Sequence, residues 1–333
     1  MRSFHFKLIA PLAAVALFAA ACSSTTENPG LAQDGGTTPE ADGGGGGGDS
    51  SVAAKDIVDT AVAAGSFKTL VSAVQAAGLE STLRGAGPFT VFAPNDDAFK
   101  KSVPDFLLTK LVSAPYKTEL GLILKYHVLS GKVAAADVLG KNQSVDTVAG
   151  AKLGVDGSGG MVKLNGGTTV TTADVAASNG VIHIIDGVLL PTIVDTASKY
   201  VDGETKFSTL VTALTAAGLV DTLNGPGPFT VFAPTDKAFA DLKAQIGDTA
   251  FNAILADKAA LTNILTYHVV SGAVYEKDVM AGAVKTVQGD NITIGTTGGV
   301  TINESSKVVF TDLPNRNGVI HVIDKVLLPP EKK

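Results

Sequence analysis

The stretch Gly-Pro-Phe-Thr-Val-Phe-Ala-Pro stands at Gly87–Pro94 and returns unchanged at Gly227–Pro234. Two further blocks are repeated in the same order: Tyr-His-Val at Tyr126–Val128 and Tyr267–Val269, and Asn-Gly-Val-Ile-His at Asn179–His183 and Asn317–His321. The copies of the three blocks are 140, 141 and 138 residues apart. A period near 140 residues is far longer than the unit of a solenoid or propeller and is typical of a duplicated globular domain. The sequence therefore predicts two copies of one module.

Composition indicates an ordinary globular protein of 333 residues, with 45% hydrophobic and 17% charged residues. Modules of about 140 residues fall in the common size range for domains, and each can bury a hydrophobic core. The formal net charge of −6 argues against a nucleic-acid partner, because binding to phosphates calls for a basic surface.

The first 21 residues have the pattern of an export signal. Arg2 and Lys7 supply positive charge, and Leu8–Ala20 is an apolar run too short to span a bilayer. The only cysteine, Cys22, follows three alanines and resembles the acylated cysteine of a bacterial lipobox. The pattern predicts a signal peptide at 1–21 and lipidation of Cys22. The alternative is a plain secretory signal cut nearby, which would leave Cys22 as a free thiol.

Residues 22–51 are predicted to be the lipidated cysteine and a disordered tether. The segment is rich in Gly, Ser and Thr, contains the run Gly43–Gly48 and has almost no large apolar residue. It therefore cannot bury enough surface to offset its chain entropy. The first module, domain 1, spans 52–190 and the second, domain 2, spans 191–329. Because no flexible spacer separates them, we expect the two domains to have a restricted relative orientation.

Each module has the pattern of an α+β domain, with helices mostly early and strands mostly late. The apolar residues Phe67, Leu70, Val71 and Val74 fall on one face of a helix, and the same register returns from Phe207. Asn95 and Thr235 are predicted helix N-caps. The last strand, predicted at Val181–Leu190 and at Val319–Leu328, is nearly all apolar and is typical of a buried central strand.

The repeated blocks resemble those of the fasciclin domain family, and together they cover the chain from about Val52 to Pro329. This resemblance implies two tandem fasciclin-like domains, each a compact wedge or sandwich of β-strands with packed helices. It also implies a role outside the cell in adhesion or in contact with matrix and neighbouring cells. Members of the family are generally not enzymes.

The resemblance also implies a contact surface. In animal members, integrin contact is attributed to the Tyr-His region and to an Asp-Ile pair just before the last block. The matching positions here are the candidate partner contacts: Tyr126, His127, Asp174, Val175, Tyr267, His268, Asp312 and Leu313. The acidic residue and proline that precede the Asp in animal members are missing, and a lipoprotein signal implies a bacterium. We therefore expect the corresponding surface to make the contact in this protein, with a partner other than an integrin.

Histidine is the best catalytic or metal-ligand candidate, with His127 and His183 in domain 1 and His268 and His321 in domain 2. A zinc or copper site usually needs three or more protein ligands, and neither module offers a cysteine or a third histidine. We therefore expect no metal, no cofactor and no catalytic residues. A buried polar cluster of these histidines with the Tyr-His tyrosines is favoured, and a ligand-contact role stays open.

The family resemblance and the signal pattern together imply an adhesion protein that is anchored to the bacterial cell envelope. Its expected partner is a cell-surface or matrix component, protein or polysaccharide, and its membrane contact is through the lipid on Cys22. Ser23 directly after Cys22 favours the outer membrane in a Gram-negative host. The alternative is an envelope lipoprotein that binds a small ligand or glycan in a pocket near a Tyr-His pair.

Overall fold

A computed structural model describes residues 54–203 and 205–330. The predicted signal peptide, Cys22 and tether lie outside the described residues. The described residues all belong to one compact unit. Domains 1 and 2 are therefore packed together.

Domain 1 consists of seven helices, seven strands and a short 3-10 turn at Ala114–Tyr116 within its described residues. The helices are α1 Ile57–Ala64, α2 Lys68–Ala77, α3 Glu80–Leu83, α4 Asp96–Ser102, α5 Asp105–Leu111, α6 Lys117–Tyr126 and α7 Ala135–Val138. The strands are β1 Phe89–Pro94, β2 Val128–Ser130, β3 Asn142–Asp146, β4 Lys152–Asp156, β5 Lys163–Leu164, β6 Thr168–Ala177 and β7 Gly180–Ile185.

Domain 2 repeats this order, with a 3-10 turn at Glu276–Asp278 in the place of α7. The helices are α8 Ile193–Lys199, α9 Ser208–Ala217, α10 Val220–Asn224, α11 Asp236–Ile246, α12 Asp248–Ala256 and α13 Lys258–Tyr267. The strands are β8 Phe229–Pro234, β9 Val269–Ser271, β10 Gly282–Lys285, β11 Asn291–Gly295, β12 Thr301–Ile302, β13 Ser306–Asn315 and β14 Gly318–Ile323.

Each domain has one seven-stranded mixed sheet, and the strand orders, β2-β1-β7-β6-β5-β4-β3 and β9-β8-β14-β13-β12-β11-β10, correspond. The quoted block forms β1 and β8, each of which lies parallel to the last strand of its domain and antiparallel to the strand after the Tyr-His pair. The predicted α+β class and duplicated architecture are confirmed. The last strand is interior as predicted, but it is shorter than predicted in both domains, because β7 ends at Ile185 and β14 at Ile323. The aspartate that follows each strand, Asp186 or Asp324, accepts a hydrogen bond from a backbone amide of the neighbouring strand at 2.7 Å.

The predicted N-caps are present, and the acid beside each of them makes a further contact. Asn95 Oδ1 accepts from the Ala98 amide at 2.8 Å and begins α4. The next residue, Asp96, places negative charge at the positive end of α4. Its carboxylate also accepts from the Thr69 amide at 2.8 Å, in the first turn of α2. Asp96 therefore joins two helix N-termini. In domain 2, Asp236 makes the corresponding hydrogen bond with the Thr209 amide.

Candidate functional site

The Tyr-His pair closes helix α6 and faces the interior. Tyr126 is 1% exposed, and its hydroxyl donates to the Lys152 carbonyl at 2.9 Å and accepts from Asn165 Nδ2 at 3.0 Å. Domain 2 forms both bonds around Tyr267. The phenol therefore has its hydrogen-bond partners inside the fold, and burial raises the pKa of Tyr126. Neither tyrosine presents its side chain to a partner.

His127 is held as a neutral ring. Its Nε2 accepts from the Leu189 amide at 2.9 Å, so that the proton is on Nδ1, which donates to the Ile123 carbonyl at 2.8 Å. Burial lowers the pKa of His127 to about 4, and the same cause lowers the pKa of His268 to about 4. Both ring nitrogens are occupied by backbone groups, which leaves neither free to bind a metal ion or a ligand.

The second histidine of each domain holds a bulge in the neighbouring strand. His183 Nδ1 accepts from the Asp174 amide at 3.2 Å, and Nε2 donates to the Val133 carbonyl at 2.9 Å. In domain 2, His321 binds the Asp312 amide and the Val274 carbonyl in the same way. The four histidines of the described chain therefore bind backbone groups, and none is hydrogen-bonded to a Tyr-His tyrosine.

The bulge of domain 1 presents an aspartate to solvent. Asp174 has φ of +59°, in the left-handed region that asparagine and aspartate tolerate, and the register between β6 and β7 shifts around it. Its Oδ1 accepts from the Ala135 amide at 3.0 Å, and no described residue bonds to Oδ2. Asp174 is exposed and Val175 is half-buried. These two candidate residues therefore lie at an open part of the surface.

The bulge of domain 2 has the same geometry, but it is covered. Asp312 has φ of +61°, and its Oδ1 accepts from the Glu276 amide at 2.7 Å. Its Oδ2 accepts from Lys110 Nζ of domain 1, also at 2.7 Å. Asp312 is 1% exposed and Leu313 is fully buried. Domain 1 therefore occupies the candidate contact surface of domain 2.

Lys110 is the centre of this contact between domains. Its ammonium also donates to Glu276 Oε2 and Thr311 Oγ1, each at 2.7 Å. Burial opposes the charge of Lys110, but the bonds to Asp312 and Glu276 outweigh it and raise the pKa. The bond from Lys110 is the largest cause that lowers the pKa of Glu276.

Aromatic side chains surround the ion pair. The Tyr116 hydroxyl donates to the Thr311 carbonyl at 3.0 Å, and its ring centroid lies 4.2 Å from that of Phe310. Phe106 meets Tyr275 edge to face at 5.5 Å. Sequence reasoning missed these residues because they lie outside the repeated blocks. Differences between the copies could have revealed them, since Phe310 stands where domain 1 has Thr172.

Within residues 54–203 and 205–330, no cluster of three His, Cys, Asp or Glu side chains could hold a metal ion. No helix in that part of the chain is both long enough and apolar enough to cross a membrane. The polar groups that the sequence singled out are instead engaged in backbone hydrogen bonds and in the contact between domains.

Comparisons with known proteins identify the family of the chain. The family model for the fasciclin domain matches residues 65–191 and 205–329. The chain is 30% identical over 281 residues to transforming growth factor-beta-induced protein ig-h3 of Sus scrofa, which covers 84% of this chain and 40% of that relative. It is 46% identical over 139 residues to protein sll1483 of Synechocystis, covering 42% of this chain and 75% of that one. The chain therefore spans well under half of the ig-h3 protein.

A solved structure, the FAS1 domain pair from the insect cell adhesion molecule fasciclin I, matches at 21% identity and a TM-score of 0.38. The match covers 80% of this chain and 98% of the chain in that structure. The decisive match is that of the family model, because it falls once on each half of the chain and takes in all three repeated blocks both times. The protein belongs to the fasciclin domain family and carries two of its domains in tandem.

Proposed function

We propose that this protein is an adhesion protein that binds a cell-surface or matrix component by non-covalent contacts of its fasciclin domains. The proposal rests on the family and on one observation in particular: the bulge of domain 2 binds the other domain of the same chain. Asp312 holds its own strand with Oδ1 and binds a lysine of another domain with Oδ2. The bulge therefore has the chemistry to accept a basic side chain from a neighbouring protein surface.

The bulge of domain 1 offers the same chemistry without an occupant in the described chain. Asp174 Oδ1 binds the Ala135 amide, as Asp312 Oδ1 binds the Glu276 amide, and Oδ2 points to no described partner. A basic side chain that met this oxygen would form a charge-assisted hydrogen bond. This argument favours a protein partner, and we propose Asp174 and Val175 as its contact residues.

The surroundings of the two bulges indicate that the external partner differs from domain 1. Around Asp312 the docking residues are large or polar, whereas around Asp174 the corresponding residues are small or short. The pairs are Tyr275 and Ala134, Glu276 and Ala135, Phe310 and Thr172, and Thr311 and Ala173. The surface around Asp174 therefore lacks the side chains that position α5 on domain 2, and we expect the partner to supply the bulk of the contact.

The proposed location is the bacterial cell envelope, with the lipid on Cys22 as anchor and residues 23–51 as tether. Support for this part comes from the sequence pattern of the first 51 residues, which lie outside the described chain. With Ser23 after Cys22, we propose the outer membrane in a Gram-negative host. Mass spectrometry of the intact protein extracted from its own cells measures the acyl mass on Cys22 directly.

The adhesion proposal is tested with chain from Ser24 onward, which keeps both domains whole. We expect saturable binding to whole cells or isolated matrix of its own species. Asp174→Asn keeps the Oδ1 contact but removes the charge, and we expect it to weaken binding about tenfold, as expected for a charged hydrogen bond. Asp146→Asn is the matched control, because Asp146 is an exposed aspartate on β3 of the same domain.

Two outcomes would overturn the proposal. One is the absence of binding by protein whose two domains are shown to be folded. The other is binding that Asp174→Asn and Asp146→Asn weaken equally, which would remove the bulge as the contact. Tyr126 and Tyr267 are poor probes of the contact, because their buried hydroxyls bond inside the fold.

A further inference from the structure

Domain 1 contains an apolar cavity of about 310 Å³ between helices α1–α3 and the face of strands β1, β2 and β7. Its wall is almost entirely aliphatic or aromatic, and includes Ile57, Leu70, Val74, Val91, Leu124 and Ile182. The volume is at the lower end of the range for small-molecule sites. The volume is about twice the ~150 Å³ of an apolar cavity that takes up benzene. The cavity of domain 1 therefore has room for roughly a dozen non-hydrogen atoms.

Domain 2 is an internal control for this cavity. The corresponding space, lined by Ile193, Leu210, Val231, Leu265 and Ile320 among others, measures only about 10 Å³. Most wall residues are the same in both domains, but Leu214 replaces Val74. Since domain 2 closes around nearly the same side chains, an open space is not a requirement of the fold. The cavity is a specific property of domain 1.

The interior of the cavity offers no hydrogen bond to a ligand through His127, the polar residue of its wall that is fully buried. Both ring nitrogens of His127 are used by the Ile123 carbonyl and the Leu189 amide. A polar group placed deep inside would therefore lose its water contacts without replacement. The part of a ligand that enters the cavity must be hydrocarbon.

The mouth of the cavity is polar and carries a free cation. Gln75, Thr82, Lys125 and Val148 line the cavity and are exposed, so they lie where it meets solvent. The Lys125 ammonium forms no hydrogen bond or ion pair with any described residue. The other charged lining residue, Glu80, is paired with Arg84 at 3.1 Å. In domain 2 the position of Lys125 is taken by Thr266, so the cavity and the free cation occur together.

We propose that domain 1 binds a medium-chain carboxylate, with its hydrocarbon chain in the cavity and its carboxylate at Lys125. The volume fits a chain of about ten to twelve carbons. The apolar wall accepts the chain, and the ammonium at the mouth is complementary to the head group. The cavity shares no residue with the bulge at Asp174, so this inference does not depend on the adhesion function.

The first test is a chain-length series with chain from Ser24 onward. Octanoate, decanoate, dodecanoate and tetradecanoate are titrated below their micelle concentrations, and binding is followed by calorimetry and by the melting temperature. Each buried methylene contributes about a fourfold gain in affinity. We expect one site per chain, gains near fourfold up to about twelve carbons, and a plateau beyond. An absence of binding, or a gain that continues unchanged past the plateau, would overturn the proposal.

Two variants test the position of the head group separately from that of the hydrocarbon chain. Lys125→Thr introduces the residue of domain 2, and we expect it to weaken dodecanoate about tenfold while dodecan-1-ol binds as before. Thr266→Lys is the matched control: it places the cation beside the closed space of domain 2 and should add no second site. Equal loss of acid and alcohol in Lys125→Thr, or a second site in Thr266→Lys, would contradict the assigned head-group position.

The location of the chain is tested without relying on a core variant that could unfold. A twelve-carbon carboxylate with a diazirine at its far end is photolysed in the wild-type protein, and the labelled peptides are identified by mass spectrometry. We expect labelling in α1, α2 and β1 of domain 1, competed by dodecanoate. Labelling of domain 2 to the same extent would overturn the assignment. Val74→Phe, which fills the cavity, should abolish the labelling if the variant keeps its melting temperature.

Discussion

Lys110 Nζ of domain 1 lies 2.7 Å from Asp312 Oδ2 of domain 2, and the two side chains fasten helix α5 to the strand bulge of β13. The pair is unequal in burial, since the Lys110 side chain is 21% exposed and that of Asp312 is 2% exposed. A buried carboxylate depends on its partners, because removal of one leaves an uncompensated charge in a poorly solvated site. The contact therefore sets both the orientation of the domains and the availability of the domain 2 bulge.

Substitution of Lys110→Met should destabilise the protein by about 2 kcal/mol, below the usual range for a fully buried pair because Lys110 is partly solvated. Urea unfolding measures the change. The matched control is Lys101→Met, because the Lys101 side chain is 69% exposed in its pair with Asp186, and its loss should change stability by less than about 0.5 kcal/mol. Asp312→Asn in the Lys110→Met background should restore part of the loss. Equal effects of Lys110→Met and Lys101→Met would show that the contact contributes nothing.

Glu119 on α6 should make stability fall as pH rises. It is fully buried, and neither carboxylate oxygen has a hydrogen-bond partner in the described chain. Burial raises the pKa of Glu119 from 4.5 to about 8. Between these values the unfolded chain ionises and the folded chain stays protonated, so the folded state loses stability across pH 4.5–8. Tyr200 lies close enough to interact with the Glu119 carboxylate, and it supplies no positive charge.

Comparison of the wild type with Glu119→Gln isolates this effect, because glutamine keeps the volume and does not titrate. We expect the difference in unfolding free energy between the two proteins to shift by on the order of 4 kcal/mol between pH 4.5 and pH 8, in favour of the variant. Glu80→Gln is the control, since Glu80 lies at the surface in its pair with Arg84. A pH-independent difference would mean that Glu119 is solvated or paired.

His127 and His268 should stay neutral well below the usual range for histidine. Burial lowers the pKa of each to about 4, so that the unfolded chain binds their protons first as pH falls below 6.5. Stability is therefore lost on the acid side, by about 2 kcal/mol for each ring at pH 5. NMR titration of the imidazole C–H signals gives the midpoints directly. A midpoint near 6.5 for either ring would contradict the buried neutral form.

Asn179 should be more sensitive to substitution than any exposed asparagine. Its Oδ1 accepts from the Ile57 amide at 3.0 Å, and its Nδ2 donates to the carbonyls of Leu83 and Gly85, each at 2.8 Å. Loss of three bonds to backbone groups at about 1 kcal/mol each predicts about 3 kcal/mol of destabilisation in Asn179→Ala. Asn179→Asp should lose as much, because a carboxylate cannot donate to the two carbonyls.

Hydrogen exchange read by mass spectrometry provides the check for Asn179. The amides of α1 should exchange faster in Asn179→Ala, whereas those of domain 2 should change little. Asn142→Ala is the control, because Asn142 is exposed on the edge strand β3. In domain 2, Asn317 accepts a hydrogen bond from the Ile193 amide in the same way. In Asn317→Ala, the amides of α8 should therefore exchange faster, whereas those of domain 1 should change little. Uniform exchange changes over both domains would argue against a local role.

Several parts of the fold could be predicted from sequence because they depend on short-range patterns. The N-caps at Asn95 and Thr235 and the interior strand after Asn179 are signalled by neighbouring residues, whose spacing is set by the geometry of helices and strands. The duplication was visible because whole blocks recur in the same order at nearly the same spacing. The end of β7 at Ile185 was missed because Val188, Leu189 and Leu190 continue the apolar pattern, although they lie outside the sheet.

The sequence by itself determined the family and the two α+β domains, since these follow from local pattern and repetition, and the family resemblance singled out the candidate aspartates at 174 and 312. Tertiary structure alone decided that Asp312 is covered by Lys110 while Asp174 is open, although both have the same local sequence position. It also decided that one domain keeps a cavity that the other closes. These properties depend on which distant residues pack together, and for Lys110 and Asp312 the partners are 202 residues apart.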